Sequence, residues 1–181
     1  MPSKKTAEKP LFGNEWIDSV AEFTETFVPE DVSTDKKRLE KLLPFDAAHL
    51  ILLRLALVTE EVSELSAAMN AMVNELKLSN DERDKLFVMR EYIERAKAKA
   101  RKAEPMEWPE AKRETLDGLA DSIVVLIGTA LAFGLDLNEA MKRVHRSNMS
   151  KMGPDGHPIY REDGKILKGP DLKPPVLDDL V

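Results

Sequence analysis

The stretch LVTEEVSEL, residues 57–65, sets three glutamates into five positions of a helix whose neighbours are apolar. Projected at about 100° per residue, Leu50, Leu53, Leu57, Ala68 and Met72 fall on one stripe, with Glu61 and Glu64 inside it and Glu60 at its edge. A helix that needed only solubility would carry such charges on the opposite face. Unpaired carboxylates buried in an apolar stripe cost several kcal/mol or become neutral. Cations must therefore neutralise these acids, or the stripe is less covered than its apolar residues suggest.

The second constraint is a matching helix further along. ETLDGLADSIVVLIGTALAFG carries Glu114, Asp117 and Asp121 before and inside its apolar half. Asp117 and Asp121 stand four apart and share a face, which Val124, Gly128 and Leu131 continue. Two helices with acids on an inward stripe repel one another unless divalent cations sit between them. Hard oxygen ligands of this kind suit Mg²⁺, with Mn²⁺ as a substitute. Salt bridging is the plainer alternative, and Arg54 projects near Glu61. A carboxylate-bridged di-iron bundle needs two Glu-x-x-His repeats; none of His49, His145 and His157 lies three residues after a glutamate.

The rest of the chain reads as all-α, an antiparallel bundle of about five helices that assembles into an oligomer. Helical periodicity predicts helices over about 14–28, 45–77, 81–103, 110–134 and 137–150. Ser79 or Asn80 caps the third, Gly134 stops the fourth, and Asp136 caps the fifth. Residues 1–10 read as a disordered lead-in, 11–152 as the domain, and 153–181 as an extended tail packed on it. Residues 152–181 hold four of the eight glycines and five of the eleven prolines, the change of composition that marks the tail. Within the tail, Asp163-Gly164 is a candidate hairpin turn.

With 181 residues, 43% hydrophobic and 33% charged, the chain can bury a core and is not of disordered composition. It has no cysteine, which excludes disulfides and zinc–thiolate sites. The formal net charge of −6 argues against a nucleic-acid binder, and any polyanionic substrate would need metal ions and a local basic patch. Residues 90–102 are basic on balance but read as a solvated face, because glutamates interrupt them. No run of about 18 apolar residues marks a membrane span, and no signal segment is expected. The chain is thus expected in the cytoplasm, with no membrane or nucleic-acid partner.

EEVSE at 60–64, the acidic pair opening the later apolar helix, and VHRSNMSK at 144–151 together resemble the MazG-like all-α nucleoside triphosphate pyrophosphatases. That group is related to phosphoribosyl-ATP pyrophosphohydrolase. The tail DGHPIYREDGKILKGPDLKPP looks like that of stand-alone members from phages and bacteria. The resemblance implies Mg²⁺-dependent hydrolysis of a (deoxy)nucleoside triphosphate to monophosphate and pyrophosphate, by dimers or tetramers. By position it implies Glu61, Glu64 and Asp121 as metal ligands, Glu60 as the acid that deprotonates the attacking water, and Asn148 and Lys151 as phosphate contacts. Two departures stand out. Gly118 occupies the place where the family writes the first acid of Glu-x-x-Asp, so Asp117 is taken with Asp121 and Glu114 stays open. Residues 75–112 read as an inserted helical excursion.

On the chemistry alone, Lys165 and Lys168 are placed to close over the phosphates. Phe23 and Phe27 are the preferred base contacts, with Trp16 and Trp108 also candidates. A non-catalytic helical module that binds a nucleotide or a partner through the same face is the alternative; it predicts that the acids pair with basic side chains.

Overall fold

The computed structural model describes residues 15–27, 37–100, 102, 104–161 and 166–181. Among these residues there are seven α-helices and no strand: α1 (Glu15–Phe27), α2 (Arg38–Lys41), α3 (Pro44–Glu75), α4 (Asn80–Lys85), α5 (Phe87–Ala100), α6 (Trp108–Phe133) and α7 (Leu137–Met149). The lead-in over 1–10 and the hairpin turn at Asp163-Gly164 lie outside the described residues. The chain divides into two compact units, Met1–Thr34 with Arg113–Val181, and Asp35–Lys112.

The long helices begin and end where local chemistry dictates. Pro44 opens α3 at its first turn, where the missing N–H costs nothing. At Ser79 a capping box starts α4: the backbone N–H of Ser79 donates to Glu82 (2.8 Å), and its hydroxyl accepts from the Glu82 N–H (3.4 Å). After α6, Gly134 adopts φ 70°, a left-handed turn that a β-carbon resists. Asp136 then caps α7 by accepting from the Glu139 N–H at 3.0 Å. The helix expected over 81–103 breaks at Leu86, whose N–H turns back to Arg83 and Asp84. No glycine or proline marks that break. The four-residue α2 also lay outside the periodicity reading.

In the unit that holds both chain ends, α7 is clasped from two sides. Trp16 Nε1 donates to Asn138 Oδ1 (3.0 Å), and His145 Nε2 meets Glu22 Oε2 (3.0 Å). The contacts ascend both helices in the same order, so α1 and α7 run parallel. Phe27, fully buried at 0% exposure, stacks on Phe23 with ring centroids 4.6 Å apart. The tail turns back after α7: Gly153 N–H donates to the His157 carbonyl (2.8 Å), and Leu167 N–H to Ile159 (2.7 Å). The Tyr160 hydroxyl donates to the Phe27 carbonyl, tying the tail to the end of α1.

In the Asp35–Lys112 unit, Lys112 at the start of α6 pairs with Glu40 of α2. That hydrogen bond holds the Glu40 carboxyl below the usual carboxylate range. Along α3, Leu50, Leu53 and Leu57 are half-buried, as the projected stripe requires. Ala68 and Met72, its expected continuation, are exposed, Met72 at 54%. By length and composition α6 is apolar enough to cross a membrane, a feature that Asp117 and Asp121 obscured in the sequence.

Candidate active site

Both acidic helices present their carboxylates outward. Glu60, Glu61 and Glu64 on α3 are exposed, and so are Asp117 and Asp121 on α6. The face of α6 that continues from these aspartates is exposed too, with Val124 at 65% and Leu131 at 76%. Glu61 and Glu64, three apart, lie on one side of α3 within a single turn. Each helix thus offers a pair of hard oxygen ligands on one face, the donor chemistry that Mg²⁺ and Mn²⁺ prefer. Among the described residues no three acids or histidines converge into a group able to hold a metal ion. Glu114, the open alternative on α6, is half-exposed and paired with Arg113 at 3.5 Å.

The other expected site residues lie at the far end of α7 and in the tail. Asn148 is half-buried in the last turn of α7, and Lys151 stands three residues later, just beyond the helix. The Lys151 ammonium rests 5.8 Å from the centroid of the Phe23 ring, a cation–π distance that fixes where this charge sits. The structure thus brings Phe23 and Lys151 together, one expected as a base contact and the other as a phosphate contact. Phe27 is a correction. At the end of α1 it is wholly buried and offers no surface to a base, so it belongs to the core. Trp16 is likewise engaged in α1–α7 pairing through Asn138. Trp108 lies in the other unit, half-buried at the start of α6. Lys168 is exposed on the tail, and Lys165 lies outside the described residues.

One group of residues near this end escaped the sequence reading. Arg143 donates to Glu139 (3.0 Å), to the Val176 carbonyl (2.8 Å) and to both carboxylate oxygens of Asp179, the Nη2 bond at 2.9 Å. The hydrogen bond from Arg143 lowers the pKa of Asp179 and of Glu139, and Asp179 in turn raises that of Arg143. The Glu139–Arg143 spacing of four was a weak signal for half of this arrangement. The other half joins residues 36 apart and left no local trace.

The family model of phosphoribosyl-ATP pyrophosphohydrolase matches residues 20–148, which include α3, α6 and nearly all of α7. The fold is shared with the crystal structure of a candidate NTP pyrophosphohydrolase from Exiguobacterium sp. 255-15. The TM-score is 0.57 at 24% identity, over 88% of each chain. No curated protein sequence matches this one. Over most of its length, then, this chain belongs to the phosphoribosyl-ATP pyrophosphohydrolase family, within the MazG-like all-α nucleoside triphosphate pyrophosphohydrolases.

Proposed function

We propose that this protein hydrolyses a nucleoside or deoxynucleoside triphosphate between its α and β phosphates, releasing the monophosphate and pyrophosphate. One observation carries the reading: Glu60, Glu61 and Glu64 stand exposed within two turns of α3, inside the region that matches the family. A triphosphate brings up to about four negative charges toward these acids, which Coulomb repulsion forbids without cations. The residues that would hold them are Glu61 and Glu64 on α3 with Asp117 and Asp121 on α6. A bound Mg²⁺ supplies charge neutralisation of the phosphates and a more acidic water. Glu60, beside the ligand pair, accepts the proton of the attacking water. Asn148 and Lys151 contact the phosphates, the Lys151 ammonium being oriented by the Phe23 ring. Phe23, half-buried, is the apolar side chain proposed to meet the base.

The active form on this reading is a homo-oligomer in the cytoplasm. Leu52 (63%), Leu55 (59%), Val58 (52%), Val124 (65%), Val125 (66%) and Leu131 (76%) are exposed on α3 and α6 of one chain. Contiguous apolar faces of that kind mark surfaces covered by protein or lipid. Asp117 and Asp121 on α6 favour protein, since a carboxylate in hydrocarbon costs about 2.5–3.5 kcal/mol or more.

A product assay tests the proposal. All canonical NTPs and dNTPs are incubated with Mg²⁺, with Mn²⁺ and with chelator, and pyrophosphate is resolved from orthophosphate. Pyrophosphate plus monophosphate, lost with chelator, is the expected result. Orthophosphate plus diphosphate would mean attack at the γ phosphorus and would end this reading. Hydrolysis of dUTP or an altered nucleotide would mark a house-cleaning enzyme, and hydrolysis of dGTP or dATP a pool-trimming one.

A further inference from the structure

The two faces of α7 carry different loads. Asn138 and His145, seven residues apart and therefore on one side of the helix, meet Trp16 and Glu22 of α1. Arg143 and Ser150, also seven apart, lie on the opposite side and meet the tail. There the tail is fastened at three points. Asp179 and the Val176 carbonyl take the Arg143 guanidinium. The Lys173 backbone N–H donates to Ser150 Oγ at 2.9 Å, and the same hydroxyl donates to the Ser147 carbonyl at 2.7 Å. Gly169 presses on the backbone that follows α7: a β-carbon there would lie 1.9 Å from the Met152 carbonyl oxygen and 3.1 Å from that of Lys151. Two of these fastenings, at Ser150 and on the Lys151–Met152 backbone, fall beside Asn148 and Lys151, and the third holds Arg143 in the preceding part of α7.

We infer that the segment Gly169–Asp179 is a strap that positions Asn148 and Lys151 for phosphate, with Asp179 on Arg143 as its fastening. Asp179 and Arg143 are positioning residues that act through the last turn of α7. The inference rests on the proposed role of Asn148 and Lys151. Arg143 is only 21% exposed, so its guanidinium is shielded on one side, whereas Asp179 is 61% exposed and can be changed without disturbing a core. The pairing is bidentate, the geometry in which an arginine fork fixes orientation as well as distance. Asn148 and Lys151 contribute most when held still before the phosphates arrive, because ordering them at binding costs side-chain and backbone entropy.

The experiment compares wild type, Asp179→Ala, Asp179→Glu, a chain ending at Lys173, and Asp178→Ala as a neighbouring control. Three measurements are made on each: steady-state kinetics, binding of inorganic pyrophosphate by calorimetry, and hydrogen exchange at amides 147–151. Asp179→Ala and the truncation are expected to speed exchange in that turn and to raise KM and the pyrophosphate Kd roughly tenfold, as for loss of a charge-assisted contact. The value of kcat should stay within about twofold, since no group at the reacting phosphorus is touched. Asp179→Glu keeps the carboxylate and should restore most of both, and Asp178→Ala should match wild type. Faster exchange with KM and pyrophosphate affinity unchanged would overturn the inference, reducing the strap to packing. Unchanged exchange would overturn it as well. If wild type releases no pyrophosphate from any nucleotide, the proposed reaction fails separately, and pyrophosphate binding with exchange still decides the strap.

Discussion

Phe27 is the test of whether α1 is seated as described. It is the one large side chain that is fully buried among the described residues, at 0% exposure, and it stacks on Phe23 at 4.6 Å. Burying a phenylalanine contributes roughly 1.5–3 kcal/mol, and an aromatic pair adds about 0.5–1.5 kcal/mol. Truncation to alanine also leaves a cavity, so Phe→Ala in a core costs about 3–5 kcal/mol. Phe27 ends its helix, where neighbours can partly close the gap, so the lower end, about 3 kcal/mol, is expected for Phe27→Ala. For a chain of this size that is roughly 6–12 °C in Tm. Val20→Ala, in the same helix at 55% exposure, is the control and should cost under about 0.5 kcal/mol. Urea unfolding followed by circular dichroism, at one fixed protein concentration, measures both. A Phe27→Ala loss no larger than that of Val20→Ala would refute the placement of α1. With it would fall the Phe23–Lys151 contact that depends on the same helix.

Glu61→Gln and Asp121→Asn should each abolish pyrophosphate release with far-ultraviolet circular dichroism unchanged. Without metal they should be no less stable than wild type, because like charges are relieved. Near-normal activity in Asp121→Asn beside a dead Glu114→Gln would show that Glu114, and not Asp117 with Asp121, sets the α6 register. The strap also has a pH signature: Arg143 lowers the pKa of Asp179 and Glu139 in the folded chain. Lowered folded values mean that their stabilisation is present above the unfolded values of about 3.9 and 4.3 and disappears as the pH falls through the folded ones. The Tm gap between wild type and Asp179→Ala should therefore close below about pH 4, and an equal gap at low and neutral pH would contradict the pairing. Light scattering at micromolar concentration should give at least a dimer mass, and a monomer would count against covered α3 and α6 faces.

Most helix positions were legible because their signals are local. Ser79, Gly134 and Asp136 act through bonds spanning three or four residues, and the boundaries of α3, α6 and α7 fall within about two residues of the periodicity reading. The break at Leu86 was not legible, since it rests on a backbone turn that any residue can make. The parallel pairing of α1 with α7 was not legible either. Trp16–Asn138 and Glu22–His145 join residues more than 120 apart, and no short-range spacing encodes them. The same holds for the tail: Tyr160, Gly169 and Asp179 look like ordinary tail residues until the chain folds back on α1 and α7.

The glutamates in an apolar stripe admitted two explanations, neutralising cations or incomplete cover, and the structure separates them in part. The stripe on α3 is half-buried through Leu57 and open from Ala68 onward, with Glu61 and Glu64 between. The acids thus stand where cover ends, and no carboxylate is trapped in a dry interior. On α6, Asp117 and Asp121 stand on exposed surface from Arg113 onward and precede an exposed apolar run that includes Val124 and Val125. A helix that carries ligands on the boundary between covered and open surface can take up a charged substrate without first expelling a packed core. It also leaves exposed apolar residues beside the acids, Val58 and Val62 on α3 among them. On the proposed function, metal, substrate and a second copy of the chain would complete one site together. Pyrophosphate release should then depend on protein concentration in the range where light scattering shows the oligomer dissociating. Activity per chain that stayed constant through that dissociation would show that one chain holds a complete site.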